Sequence, residues 1–188
     1  MRTFPSFSAQ VSEPSTGRFV AKPGAASPEA LQAFALAHQG DPRKGEEIFF
    51  DVNGVGCVKC HAAEGRGTAN IGPDLTGLAL KYDKAEIIRS VLEPSNRIVT
   101  GYQPVLLALT DGKVLNGLVR AETDAYVELV DADTRTVRVP KAEIEERRAG
   151  DISLMPKGLV DTLSPLEFTD LISYLQSLKT APSLSNPA

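Results

Sequence analysis

The feature that most constrains this chain is a pair of cysteines, Cys57 and Cys60, followed immediately by His61. They are the only cysteines among 188 residues, and His61 is one of only two histidines. Two thiols this close together cannot form a disulfide framework that joins distant segments. The chain must therefore fold around an apolar core, for which 42% apolar and 23% charged residues are suitable.

Charge and hydropathy exclude further classes of protein. The formal net charge of −4 gives no general attraction to a phosphate backbone, so we expect no nucleic-acid binding. No apolar run approaches the length that crosses a bilayer, so we expect no transmembrane segment. Residues 1–10 lack the apolar stretch of a secretory signal, which leaves a mature exported chain or a cytosolic protein as alternatives.

The CxxCH spacing of Cys57, Cys60 and His61 matches the chemistry of covalent haem attachment. Two thiols separated by two residues can each add across one vinyl group of a haem, and the adjacent imidazole can bind the iron. We therefore predict one covalently bound haem c. Cys57 and Cys60 would hold it, and His61 would be an axial ligand of the iron.

Two other uses of the cysteine pair remain open. A structural zinc site needs four ligands, usually from two such pairs, and His38 is the only other imidazole in the chain. A thioredoxin-like dithiol lies between a strand and a helix. Here the motif follows a predicted helix and a glycine-rich break, so the sequence favours haem over both alternatives.

Met155 is the predicted second axial ligand of the iron. It is the only methionine apart from Met1, and it lies in a loop bounded by Pro156 and Gly158. A thioether on such a loop can be directed at a haem, although a methionine in the core is the usual alternative. His38 is the other candidate ligand, but its place late in a helix is typical of a helix C-terminal histidine.

Pro73, in the sequence GPDL at 72–75, is the predicted partner of His61. A metal-binding histidine usually donates its second ring N–H to a backbone carbonyl, which fixes the orientation of the ring. A simple turn proline is the alternative. Arg97 and Tyr102 are weaker candidates, for hydrogen bonds with haem propionates.

The pattern of caps and apolar residues predicts helices at 28–39, 42–50, 83–93 and 165–179. Gly45 would allow the second and last of these helices to approach closely. Strands are predicted at 104–110, 114–121, 125–131 and 134–139, with a hairpin turn at Asp111-Gly112. Residues 141–148 are polar, and we expect a short strand or a turn there.

Together these motifs resemble the class I cytochrome c family, over most of residues 40–180. A long stretch near 101–148 departs from that family. With GEEIFF at 45–50, GPDLTG at 72–77 and SLMPKGL at 153–159, the chain looks more specifically like the haem-binding domain found in Planctomycetes and Verrucomicrobia.

The resemblance implies a mainly α fold: a cytochrome c helical fold around one haem, with a small antiparallel β insertion, α+β overall. The corresponding division is an extended arm at 1–26, the first part of the cytochrome domain at 27–101, the inserted sheet at 102–148, the second part at 149–180 and a tail at 181–188. The inserted sheet would be either a docking surface for a redox partner or neighbouring subunit, or a lid that shields the haem and stiffens the Met155 loop.

The implied function is electron transfer by a monohaem carrier that is not an enzyme. Electrons would come from a dehydrogenase-like or other redox partner, fused or docked. Bacterial haem attachment of this kind takes place outside the cytoplasmic membrane, so the resemblance implies a periplasmic or otherwise exported protein. The alternatives are a haem sensor or small enzyme with a labile sixth ligand, and a zinc-stabilised interaction module.

Overall fold

The structure, a computed structural model, describes residues 26–68 and 71–180. The predicted arm, apart from Ala26, and the predicted tail at 181–188 lie outside the described residues. In chain order the helices and strands are α1 (Pro28–Ala37), α2 (Pro42–Phe50), β1 (Ala62–Ala63), β2 (Arg66–Gly67), α3 (Lys84–Leu92), β3 (Val105–Leu109), β4 (Val114–Glu122), β5 (Tyr126–Val130), β6 (Thr136–Pro140), β7 (Ile144–Ala149) and α4 (Pro165–Ser177).

The four predicted helices are confirmed, with boundaries within two residues of those expected. The reason is local capping. Asp83 and Glu86 form a capping box at the start of α3, and Ser164 and Glu167 form another at the start of α4. No helix in the described part of the chain has the length and apolar character needed to cross a bilayer.

Helices α2 and α4 pack against each other in close contact at Gly45. A Cβ added to Gly45 would collide with the carbonyl oxygen of Asp170 and would lie 2.8 Å from the Cβ of Tyr174. One turn later, Phe49 packs on Tyr174 with ring centroids 5.4 Å apart. The predicted role of Gly45 is therefore confirmed. The Asp170 carboxylate also accepts the N–H of Asp41 at 2.7 Å, which ties the start of α2 to α4.

Residues 105–149 form a five-stranded antiparallel sheet with strand order β6-β5-β4-β3-β7. The first four strands confirm the predicted ones, and the hairpin between β3 and β4 turns at Gly112, whose φ is 86°. The last strand, β7, pairs with β3 along its whole length. It is polar because it is an edge strand whose side chains are largely exposed.

The sheet has an apolar core of its own. Its most buried residues, each at most 2% exposed, are Leu107, Val127, Leu129 and Val139. All members of this cluster lie between residues 105 and 144, so the sheet buries this face against itself. A flat sheet cannot do so, and the strands must therefore curl around the cluster.

The prediction of a mainly α cytochrome c fold with a small β insertion is wrong. The structure is α+β, with a five-stranded antiparallel sheet, four helices among the described residues and 22% strand. The sheet has its own core and also packs on the helical part, so it is a major part of the fold. In addition, two short strands, β1 and β2, pair antiparallel in the segment that follows the CxxCH motif.

Candidate functional site

One cavity, of about 230 Å³, is lined by all five predicted site residues: Cys57, Cys60, His61, Pro73 and Met155. They lie on three segments: the turn of the two cysteines and His61, the loop of Pro73 twelve residues later, and the distant loop of Met155. The cavity lies between the turn that contains the cysteines, helices α3 and α4, and the loop that leads from β7 to α4. The fold thus brings the predicted residues together at a single site.

A tight turn presents the two thiols to the cavity. Residues Cys57–Lys59 form one turn of 3₁₀ helix, and the N–H groups of Cys60 and His61 both donate to the carbonyl of Cys57. Gly56 precedes this turn with a φ of 66°, a conformation that glycine adopts without strain. The turn therefore brings Cys57, Cys60 and His61 to the same wall of the cavity.

The imidazole of His61 is held by two neighbouring residues. Its Nδ1–H donates to the carbonyl oxygen of Pro73 at 2.8 Å, as expected for Pro73. Because Nδ1 carries the proton, Nε2 keeps a free lone pair. Gly72 lies flat against the ring, and a Cβ there would collide with Cε1 and lie 2.7 Å from Nδ1. This need for glycine was not predicted, and its only signal in the sequence is its place directly before Pro73.

Burial shifts the ionisation of all three groups toward their neutral forms. It raises the pKa of the Cys57 thiol to about 12 and also raises that of Cys60. It lowers the pKa of His61, against the opposing effect of the hydrogen bond to Pro73. Reactive dithiols need a lowered thiol pKa, so this environment does not favour the thioredoxin-like alternative.

Met155 reaches the cavity from a loop fixed by hydrogen bonds. Its N–H donates to Ser153 Oγ at 3.1 Å, and the N–H of Ser153 donates to Ser95 Oγ at 3.1 Å. The second bond ties the loop to the segment that follows α3. Met155 is half-buried and lines the cavity, and it is not part of the described apolar clusters.

The rest of the cavity is mainly apolar, with cationic groups at its edge. Its apolar walls include Phe49, Leu75, Leu78, Ile87, Leu171 and Leu175. Arg97 and Tyr102 also line it. The Arg97 guanidinium lies 5.0 Å from the ring centroid of Tyr82 and forms an ion pair with Glu86 at 3.9 Å. Sequence reasoning missed Tyr82, since a single aromatic before a helix cap has no distinguishing pattern.

The other predicted candidate ligand, His38, does not line this cavity. It is the residue after the last turn of α1, where its Nδ1 is 2.9 Å from the carbonyl oxygen of Phe34 and its ring stacks on the Phe34 ring. The expectation of a helix C-terminal histidine is thus confirmed. Within residues 26–68 and 71–180 there is no group of three or more His, Cys, Asp or Glu side chains placed to hold a metal ion.

The residues around this cavity fit a covalently bound haem. Two thiols and an imidazole nitrogen with a free lone pair lie on one wall, and a thioether is supplied by the Met155 loop. The missing side chain at Gly72 lets the backbone lie against the imidazole, and the apolar walls suit a macrocycle. No protein-family model matches this chain, and no curated protein matches it. The cavity and its residues are therefore the features of this chain that bear on its function.

Proposed function

We propose that this protein is a monohaem c-type electron carrier and not an enzyme. The observation that carries the proposal is the single cavity on which Cys57, Cys60, His61, Pro73 and Met155 converge from three separate segments. The two cysteines are separated by two residues, which is the spacing of a haem attachment site. The cavity is also lined by the candidates for both axial ligands, His61 and Met155.

Each residue has a distinct task in this proposal. Cys57 and Cys60 would hold the haem through thioether bonds, and His61 Nε2 and the sulfur of Met155 would bind its iron. Pro73 accepts the Nδ1–H of His61, which orients the ring and keeps the proton away from Nε2. When bound, a haem with two protein ligands supplies a one-electron couple and leaves no free coordination position for a substrate.

The surrounding side chains would exclude water and set the polarity of the site. Leu75, Leu171 and Leu175 line the cavity and extend the apolar core that α4 forms with the other helices. An apolar surrounding disfavours added charge, so it bears directly on the reduction potential. Arg97, which also lines the cavity, would interact with a haem propionate.

The electrons would come from a redox protein partner, dehydrogenase-like or other, either docked or fused. We also propose that the protein is periplasmic or otherwise exported, because covalent haem attachment of this kind takes place outside the bacterial cytoplasmic membrane. A haem sensor or small enzyme with a labile Met155 is the alternative function. Its distinguishing property would be ready binding of CO to the reduced haem.

Absorption spectroscopy of protein made together with a c-type haem maturation system tests this proposal. We expect a c-type α-band after reduction with dithionite and a weak far-red iron–methionine band after oxidation. The variant Met155→Leu, which keeps the volume but removes the thioether, should lose the far-red band. The control His38→Ala should keep it, because His38 lies outside the cavity.

Two outcomes would contradict the proposal in different ways. Absence of any haem absorbance despite competent maturation would rule out the haem itself. If the haem protein and its Met155→Leu variant have the same spectrum, or if CO binds readily to the reduced haem, the sensor or enzyme function is supported instead.

A further inference from the structure

A further apolar cluster, distinct from the core of the sheet and from the core of the helical part, joins the sheet to the wall of the cavity. Four residues, each at most 7% exposed, form it: Ile71, Leu118, Val130 and Leu154. Leu118 lies on β4 and Val130 on β5, whereas Ile71 and Leu154 belong to the loops around the cavity. The half-buried residues Cys60, Tyr102 and Ala132 pack against the cluster. The sheet therefore touches the site through a few residues of one face.

The two loop residues in this cluster each precede a residue that acts at the site. Ile71 is followed by Gly72, which lies against the imidazole of His61. Leu154 is followed by Met155. Ile71 and Leu154 line the cavity, whereas the sheet residues Leu118 and Val130 do not. The sheet pair can therefore act on the site through the residues packed on it: Ile71 and Leu154 in these loops, together with Cys60 and Tyr102, which also line the cavity.

The two sheet residues of this cluster lie on inner strands of the sheet and are paired with each other. Leu118 and Val130 are directly opposite each other in the register of β4 and β5. Each of these strands has a neighbouring strand on both sides. The two connections between the sheet and the helical part are also tied to each other, since the N–H of Gly150, after β7, donates to the carbonyl of Pro104, before β3, at 2.8 Å.

We propose that the Leu118–Val130 pair is a positioning surface for both predicted axial ligands. It holds Ile71 and Leu154 in one cluster, and so fixes the Gly72–Pro73 segment, which contacts His61, relative to the Met155 loop. Of the two uses considered for the sheet, this role agrees with the second, in which the sheet stiffens the Met155 loop. The statement about axial ligands rests on the proposed function, whereas the packing that fixes the two loops does not.

Two valines of β5 provide a matched test. Val130 belongs to the cluster at the cavity, and Val127 belongs to the sheet's own core; both are buried. In the oxidised haem protein we would measure the pH at which the far-red iron–methionine band is lost. We expect Val130→Ala to favour loss of Met155 from the iron by about fivefold, because a partly filled cavity loosens its neighbours. Val127→Ala should leave this equilibrium unchanged.

A second readout does not depend on iron ligation. Amide hydrogen exchange reports the opening of the two loops at the N–H of Gly72, which donates to the Cys60 carbonyl, and at the N–H of Met155, which donates to Ser153 Oγ. We expect both to exchange about fivefold faster in Val130→Ala than in Val127→Ala. The milder variant Ile71→Val should also speed the exchange of both N–H groups. It replaces Val130→Ala in the experiment if Val130→Ala does not fold.

Equal behaviour of the Val130 and Val127 variants in both readouts would overturn the proposal, because general destabilisation of the sheet would then explain the data. Faster exchange in Val130→Ala without a far-red band in the parent protein would support the positioning surface and contradict Met155 as a ligand. Failure of this inference and failure of the proposed function are therefore distinguishable.

Discussion

The sheet and the helical part of this protein bury apolar residues in different ways. In the sheet, Leu107, Val127 and their neighbours fill the space between the strands with side chains of the sheet alone. In the helical part, Phe49, Leu171 and Leu175 belong to the core and also line a cavity. Protein interiors are normally packed without such space. The helical core thus contains the space that the proposed haem would fill, whereas the core of the sheet is filled by its own side chains.

The largest expected effect follows from the cysteines in the helical part. In the double variant Cys57→Ser with Cys60→Ser, neither position can form a thioether bond, so no haem should remain attached after denaturation. Haem staining of a denaturing gel measures this. Val127→Ala, in the core of the sheet, should retain its haem. Haem that stays attached in the double variant would contradict covalent binding at this motif.

The next effect tests whether the sheet core is separate from the site. Leu107→Ala removes a fully buried side chain from the sheet, and we expect the free energy of unfolding to fall by about 3 kcal/mol. The haem spectrum of the folded protein should not change, because Leu107 belongs to the cluster that lies away from the cavity. Denaturant unfolding and absorption spectra check both points. A shifted spectrum would show that the two cores are coupled.

A smaller effect is expected where the two helices α2 and α4 make contact. Gly45→Ala places a Cβ against the Asp170 carbonyl, and forcing the helices apart should lower the free energy of unfolding by about 2 kcal/mol. Gly112→Ala in the sheet is the control. Nothing lies near its Cβ, so only the positive φ of 86° opposes the change, at about 1 kcal/mol. If Gly112→Ala is the more harmful in urea unfolding, the helix contact is less tight than described.

The smallest expected effect concerns Tyr174 on α4. Burial, with a smaller effect of the nearby Glu64 carboxylate, raises the pKa of Tyr174 to about 12. A phenol whose pKa is higher in the folded state stabilises the fold fully below pH 10, its ordinary pKa, and this stabilisation is lost as the pH rises toward 12. Tyr174→Phe cannot ionise, so its stability should fall less between about pH 8 and about pH 11.

Tyr126→Phe in the sheet is the control for this measurement. Denaturant unfolding of the parent and both variants at the two pH values gives the comparison. A parent and a Tyr174→Phe variant with the same pH dependence would show that the phenol is not held in its neutral form by the fold.

Some features of the fold were predictable because their signals are local. The capping boxes of α3 and α4 and the hairpin at Gly112 each depend on residues within a few positions of one another. The predicted hydrogen-bond acceptor at Pro73 is a longer-range example. It could be anticipated because the chemistry of a ligating histidine demands a carbonyl partner.

The polar strand β7 shows why other features could not be predicted. Residues 144–149 have no apolar alternation, and they form a strand only because β3 offers them an edge from more than thirty positions away. A short strand and a turn were therefore both open at 141–148, and the resemblance to the class I cytochrome c family led to a mainly α fold class. The structure has the strand, and its fold class is α+β.

The sequence by itself determined the chemistry that this protein can carry, since both cysteines and an adjacent histidine occupy one short motif. It also determined where helices and hairpins begin, because caps and turns act within a few residues. Only the tertiary structure decided that Gly72 must lack a side chain and that Leu118 and Val130 support the loops of the site. Such contacts depend on which faces of distant segments pack together, and a local pattern along the chain does not specify that packing.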